Sequence, residues 1–98
     1  MNLPLDYRPE VRNEIDAAYF WYEQQRTGLG EEFLTALRDQ LDRIQDNPEL
    51  YGVLYRQIRA CLLRRFPYVV YFRALSDRIN IIAVQHGHQK PSRWRRRA

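Results

Sequence analysis

A chain of 98 residues, 45% hydrophobic and 29% charged, suffices for one compact domain and leaves no room for a second, so residues 1–98 read as a single unit. Its net charge of +4 hides a strong division: residues 1–50 hold eleven acids and five arginines, whereas residues 51–98 hold eleven bases and one acid, Asp77. There is one cysteine, Cys61, which excludes an internal disulfide and suits a reducing cytoplasm, and no apolar run long enough for a membrane span or a secretory signal.

Along the chain, residues 3–8 alternate apolar and polar side chains and predict a short strand, confined by Pro4 to a strand start or an edge. From Pro9 the spacing of Val11, Ile15, Ala18 and Tyr22 predicts an amphipathic helix that ends at Gly28. A second stripe, Phe33, Leu37, Leu41 and Ile44, runs to Asn47-Pro48, where proline forbids further helix. The connection between the two is so short that they must form an antiparallel hairpin, over about residues 9–47. The acids Glu14, Asp16, Glu23, Glu31, Glu32, Asp39 and Asp42 are expected on its outer face.

Beyond Pro48 the residues become β-branched and aromatic. Leu54 to Arg65, Tyr68 to Leu75 and Ile79 to Gln85 read as three strands in an antiparallel meander, over about residues 54–86, covered by the hairpin. The fold class is therefore α+β, in the order strand-helix-helix-strand-strand-strand. Residues 87–98 read as a basic tail, extended and flexible. Phe20, Trp21, Tyr22, Phe33, Phe66, Tyr68, Tyr71 and Phe72 are taken as core.

Fifteen of the sixteen cations are arginine, whose planar fork suits phosphate and carboxylate. Arg56, Arg59, Arg64 and Arg65 interleave with apolar residues of the first long strand and could form an anion-binding face; the other reading is that they are solvated strand positions. His86-Gly87-His88 places two imidazoles on one side of an extended chain, where they could serve as acid and base. With no third ligand at hand, metal binding is not expected, and no sequence feature calls for a cofactor. Trp94 lies among Arg93, Arg95, Arg96 and Arg97: it could receive a base or enter a partner's pocket, or the tail could fold back and bury it.

Several segments taken together resemble the RelE/ParE superfamily of bacterial toxins. They are Trp21-Tyr22, Gly28-Leu29-Gly30 with Phe33-Leu34, Asn47-Pro48, the run Arg64-Arg65-Phe66-Pro67-Tyr68-Val69-Val70-Tyr71, and Ala83-Val84-Gln85-His86-Gly87-His88 with Pro91 and Trp94. The resemblance implies the same α+β fold and the toxin of a type II toxin-antitoxin module, serving plasmid maintenance or stress-linked growth arrest. Its partner would be a cognate antitoxin, acidic and partly disordered when free, bound through Arg56, Arg59, Arg64 and Arg65.

The superfamily divides by target. RelE-like members cut messenger RNA on the ribosome, and ParE-like members poison DNA gyrase. The RelE pattern has an arginine where Tyr68 stands, a cation where Cys61 stands and an arginine near the place of His88, with Arg59 at the position of a strand lysine. So many missing cations would leave the transition state weakly stabilised, which favours the ParE-like branch. In that branch the segment after the last strand engages gyrase, implying Arg93, Trp94, Arg95, Arg96 and Arg97 as target contacts. The nuclease alternative would use His86 as acid or base, Arg65 as phosphate clamp and Arg59 in support. A third reading is a non-toxic nucleic-acid or protein interaction module.

Overall fold

In the computed structural model, which describes residues 2–98, the expected order holds with one strand divided. The elements are β1 (Leu5–Tyr7), α1 (Pro9–Gln25), α2 (Leu29–Asp46), a 3-10 turn (Pro48–Leu50), β2 (Val53–Tyr55), β3 (Ile58–Leu62), β4 (Tyr68–Ala74), β5 (Ile79–His86) and α3 (Ser92–Arg95). They form a five-stranded sheet of order β1-β5-β4-β3-β2, in which β1 runs parallel to β5 and every other pair is antiparallel.

Pro9 opens α1 as expected, but α1 stops at Gln25, and Gly28 instead starts α2 in the left-handed region at φ 91°. The hairpin is tight because Gly30 sits against Tyr19: a Cβ there would lie 2.8 Å from the Tyr19 carbonyl oxygen. Glu23 then caps α2, its carboxylate accepting the Gly28 and Gly30 backbone N–H groups at 2.9 and 3.0 Å.

The two stripes pack on one face of the sheet. Val11, Ala18, Tyr22, Phe33, Leu37, Leu41 and Ile44 are buried there against Val70, Phe72, Ile81 and Val84. Phe20 and Trp21, expected in the core, are exposed at 62% and 56%. Two residues and one residue before Tyr22 on a helix turning about 100° per residue, they point away from the buried stripe.

The first long strand, expected from Leu54 to Arg65, is instead a hairpin. Tyr55 pairs with Ile58, leaving Arg56-Gln57 as a two-residue loop whose φ angles, 45° and 68°, are both positive. Such loops ordinarily announce themselves by Asn-Gly or Asp-Gly, and neither is present here.

A second correction concerns the far face of the sheet. In β5, Ala83 pairs with Tyr71 and Ile81 with Phe72, so Ile82 is an inserted residue. Ile82 and Ala83 therefore join Ile58 and Tyr71 in an apolar cluster on the side away from the helices. That cluster needs a cover, and the tail provides it. The segment is not extended: α3 lays Trp94 on Tyr71, ring centroids 4.4 Å apart and 16° from parallel, leaving Trp94 only 4% exposed.

Candidate partner-binding surfaces

The acids of the hairpin are not all on its outer face. Glu14 turns inward toward β5 and accepts the Val84 N–H at 3.0 Å and the Gln85 amide at 2.7 Å. It also takes both ends of the Arg97 guanidinium, at 3.0 and 2.9 Å. Arg97 donates in addition to the Ile82 carbonyl at 3.1 Å. Arg97, one of the expected target contacts, is thus spent on holding the tail, as is Trp94. Of that set, Arg93, Arg95 and Arg96 remain exposed.

The four arginines expected at the antitoxin are not one surface. Arg64 and Arg65 line a cavity of about 380 Å³ along α2, with Glu31, Glu32, Asp39 and Arg43. Arg65 there donates to Glu32 at 2.7 Å, and Arg26 approaches the other Glu32 oxygen at 3.0 Å. Those hydrogen bonds, Arg65's first, hold the Glu32 carboxyl below its ordinary range. Arg59 is turned in, donating to the Tyr51 carbonyl at 2.6 Å. Arg56 lies at the β2–β3 turn, at the other end of the basic half, beside Tyr55, Arg95 and Arg96.

Nor do His86, Arg65 and Arg59 converge. His86 pairs with Tyr68 at the start of β4, while Arg59 pairs with Phe72 four residues on. They are therefore separated by ~13 Å along the strand and by two strand spacings across it. His86 stands edge-on to Tyr68 at 5.5 Å in a cleft of about 600 Å³ shared with Trp21 and His88, which Arg65 does not line. Its Nδ1 accepts the His88 backbone N–H at 3.1 Å, and the two imidazoles lie 5.3 Å apart, brought together by a turn at residues 87–88 and not by the expected extended chain. Burial pushes the Tyr68 hydroxyl above its ordinary range. Cys61 is buried and bonded to Gln40 Oε1 at 3.3 Å, and burial raises its thiol too. Among the described residues, no three His, Cys, Asp or Glu side chains gather as metal ligands, and no helix is long and apolar enough to cross a membrane.

Sequence reasoning missed the most exposed apolar region. β2 covers only the first part of β3, pairing Val53 with Arg59 and Tyr55 with Ile58, so the outer edge of β3 from Ala60 to Leu62 has no neighbouring strand. Leu50, Val53, Leu54 and Leu62 line this border, exposed by 50–77%. Of the four, only Leu54 and Leu62 fall within the single strand expected from Leu54 to Arg65; Leu50 and Val53 precede it.

A helical hairpin on one sheet face, a tail sealing the other, an open apolar edge and exposed arginines define a small α+β protein. The chain belongs to the ParE toxin family: the family model described as ParE toxin of type II toxin-antitoxin system, parDE, matches residues 5–91. It is similar to Toxin ParE2 of Mycobacterium tuberculosis, in strains CDC 1551 / Oshkosh and ATCC 25618 / H37Rv, with 36% identity over 50 residues. That match covers 51% of this chain and 48% of each relative, so it spans about half the length of the curated relatives. A solved chain from the chromosomal ParDE TA system of P. aeruginosa shares the fold, with a TM-score of 0.75 at 17% identity over 86% of this chain and 95% of that one.

Proposed function

We propose that this ParE-family toxin is silenced by a cognate antitoxin and, when free, arrests growth in the cytoplasm by poisoning DNA gyrase. The open β3 edge carries the antitoxin half of this reading. Unpaired strand backbone beside exposed Leu62, Leu54 and Val53 is an aggregation hazard for a lone chain and a template for strand addition by a partner. The cavity along α2 adjoins the Arg64-Arg65 end of that edge and offers the same partner a place for a helix. With only Asp77 acidic in residues 51–98, an acidic partner segment is the complementary one.

Two observations support gyrase over messenger RNA: His86, Arg65 and Arg59 stand apart, and Arg93, Arg95 and Arg96 are exposed in the segment that ParE-like toxins are expected to present to gyrase. One observation favours RNA cleavage as the second reading, namely the pairing of His86 with Tyr68 in an open cleft.

Expression from a tightly repressed promoter should collapse colony counts, and purified toxin with gyrase and plasmid should trap broken DNA. His86→Gln should leave both intact. Cleaved messages without trapped gyrase, abolished by His86→Gln, would establish the second reading. Normal growth with soluble protein present would remove both.

A further inference from the structure

The tip of the β2–β3 hairpin and the exposed side of α3 meet around one ring. Tyr55 is packed edge-on against Trp94 at 6.2 Å, which fixes its plane. On it lie two guanidiniums, that of Arg56 at 5.2 Å and that of Arg95 at 5.0 Å from the ring centroid. Arg95 also lies 5.5 Å from the Trp94 ring, and Arg96 is oriented by its Nε bond to the Ser92 carbonyl at 3.2 Å. The two Tyr55-bound charges are therefore within about 10 Å of each other, held there by cation–π contact instead of by acids. None of Arg56, Arg95 and Arg96 makes an ion pair among the described residues. Arg73 adds a further charge nearby, donating to the Arg56 carbonyl at 3.2 Å. A recess of about 410 Å³ lies between these side chains, Ser92 and Ala98, and no acidic side chain lines it.

We infer that this recess is a phosphate-binding clamp for the backbone of a nucleic acid, with Arg56, Arg95 and Arg96 as the cations and Tyr55 as the ring that orders two of them. Like charges gathered with no acidic side chain among them raise the local potential and select a dense polyanion. On each strand of a duplex one phosphate recurs for about every 3.4 Å of helix axis, which brings more than one charge within the reach of such a cluster. An acidic protein would need an apolar anchor as well as charge. None of the large exposed apolar side chains lines the recess; all lie at the sheet edge, on α1 or on β1. The clamp does not depend on which macromolecule the toxin attacks, because nucleic acid is bound here by this chain alone.

The test is binding of the purified chain to a labelled 20-base-pair DNA duplex between 50 and 200 mM salt. Each of Arg56→Gln, Arg95→Gln and Arg96→Gln should reduce the slope of log K against log salt by about 0.9, the value for one lost phosphate contact. Arg38→Gln, on the exposed side of α2 across the sheet, should leave the slope unchanged, and melting curves should show all four variants folded. Tyr55→Leu should weaken binding at constant slope, since it frees the guanidiniums without removing their charge. A slope unaltered in the three arginine variants overturns the inference. Competition by a poly-glutamate peptide as effective as that by unlabelled duplex also overturns it, in favour of an acidic protein. Both measurements omit gyrase, so failure here leaves the proposed target untouched, and growth arrest without gyrase poisoning leaves the clamp untouched.

Discussion

Arg97 and Glu14, eighty-three residues apart, form a two-pronged ion pair with both side chains more than four-fifths buried, and it ties the end of the chain to the first helix. Glu14 simultaneously satisfies the Val84 N–H, which the neighbouring strand does not reach. Removing the carboxylate leaves the Gln85 amide and the Val84 N–H without their acceptor in a poorly hydrated place, and leaves the Arg97 guanidinium with the Ile82 carbonyl and a distant Glu10, 3.9 Å away. Glu14→Ala is expected to destabilise the fold by about 3 kcal/mol, and Arg97→Gln by less, since Glu14 keeps its other two donors. Urea denaturation checks both. Equal stabilities for Glu14→Ala and wild type would show the pair to be idle.

The tail is cover for the sheet before it is anything else. Trp94→Ala should cost about 3–5 kcal/mol, a large share of the stability of so small a domain. Removal of residues 90–98 should therefore abolish toxicity only together with the fold. Fluorescence separates the two tryptophans: Trp21→Phe leaves the buried Trp94 and its blue-shifted emission, whereas Trp94→Phe leaves the exposed Trp21 and a red-shifted one. Truncated protein with unchanged melting temperature and no toxicity would restore the flexible-tail reading.

How far the sequence speaks depends on which contacts decide each element. The hairpin was legible because its stripes, Phe33 to Ile44 above all, have only one face to bury, and Pro9 and Pro48 punctuate them. β4 and β5 were legible as runs of β-branched and aromatic residues. The Arg56-Gln57 turn was not, since neither residue advertises positive φ, and with it went the open β3 edge. Nor was the function of Glu14 visible: a helical acid looks solvated until its partner at Arg97 is brought back by the tail. Trp94 illustrates the same limit. Its burial depends on an apolar second face created by the inserted Ile82, which alternation does not encode.

The Glu32 ion pairs make a small, surface-screened contribution to stability that acid removes. Its carboxyl titrates below its ordinary value in the folded chain because Arg65 and Arg26 bond the charged form. The bridge therefore contributes fully above the unfolded-state carboxylate value and is lost as pH falls through the lower folded one. Wild type and Glu32→Gln should differ in melting temperature at neutral pH and converge in acid. A difference that persists after Glu32 is protonated would assign the effect to shape instead of charge.

The β3 edge gives the sharpest test of how the proposed antitoxin docks. Leu62 is 64% exposed, so Leu62→Ala should leave the melting temperature of the free toxin unchanged. If the antitoxin adds a strand there and buries that side chain, the same substitution should weaken the complex by about 2 kcal/mol, roughly thirtyfold in Kd, mostly through faster dissociation. Salt should act on the other rate. If that antitoxin is acidic, as proposed, the cationic half of the chain steers it, so association should slow as salt rises while dissociation changes little. Stopped-flow mixing of toxin and cognate antitoxin at low and high salt, with wild type and Leu62→Ala, separates the apolar from the electrostatic contribution. An association rate indifferent to salt would remove the steering, and a Kd indifferent to Leu62→Ala would move the docking site off this edge.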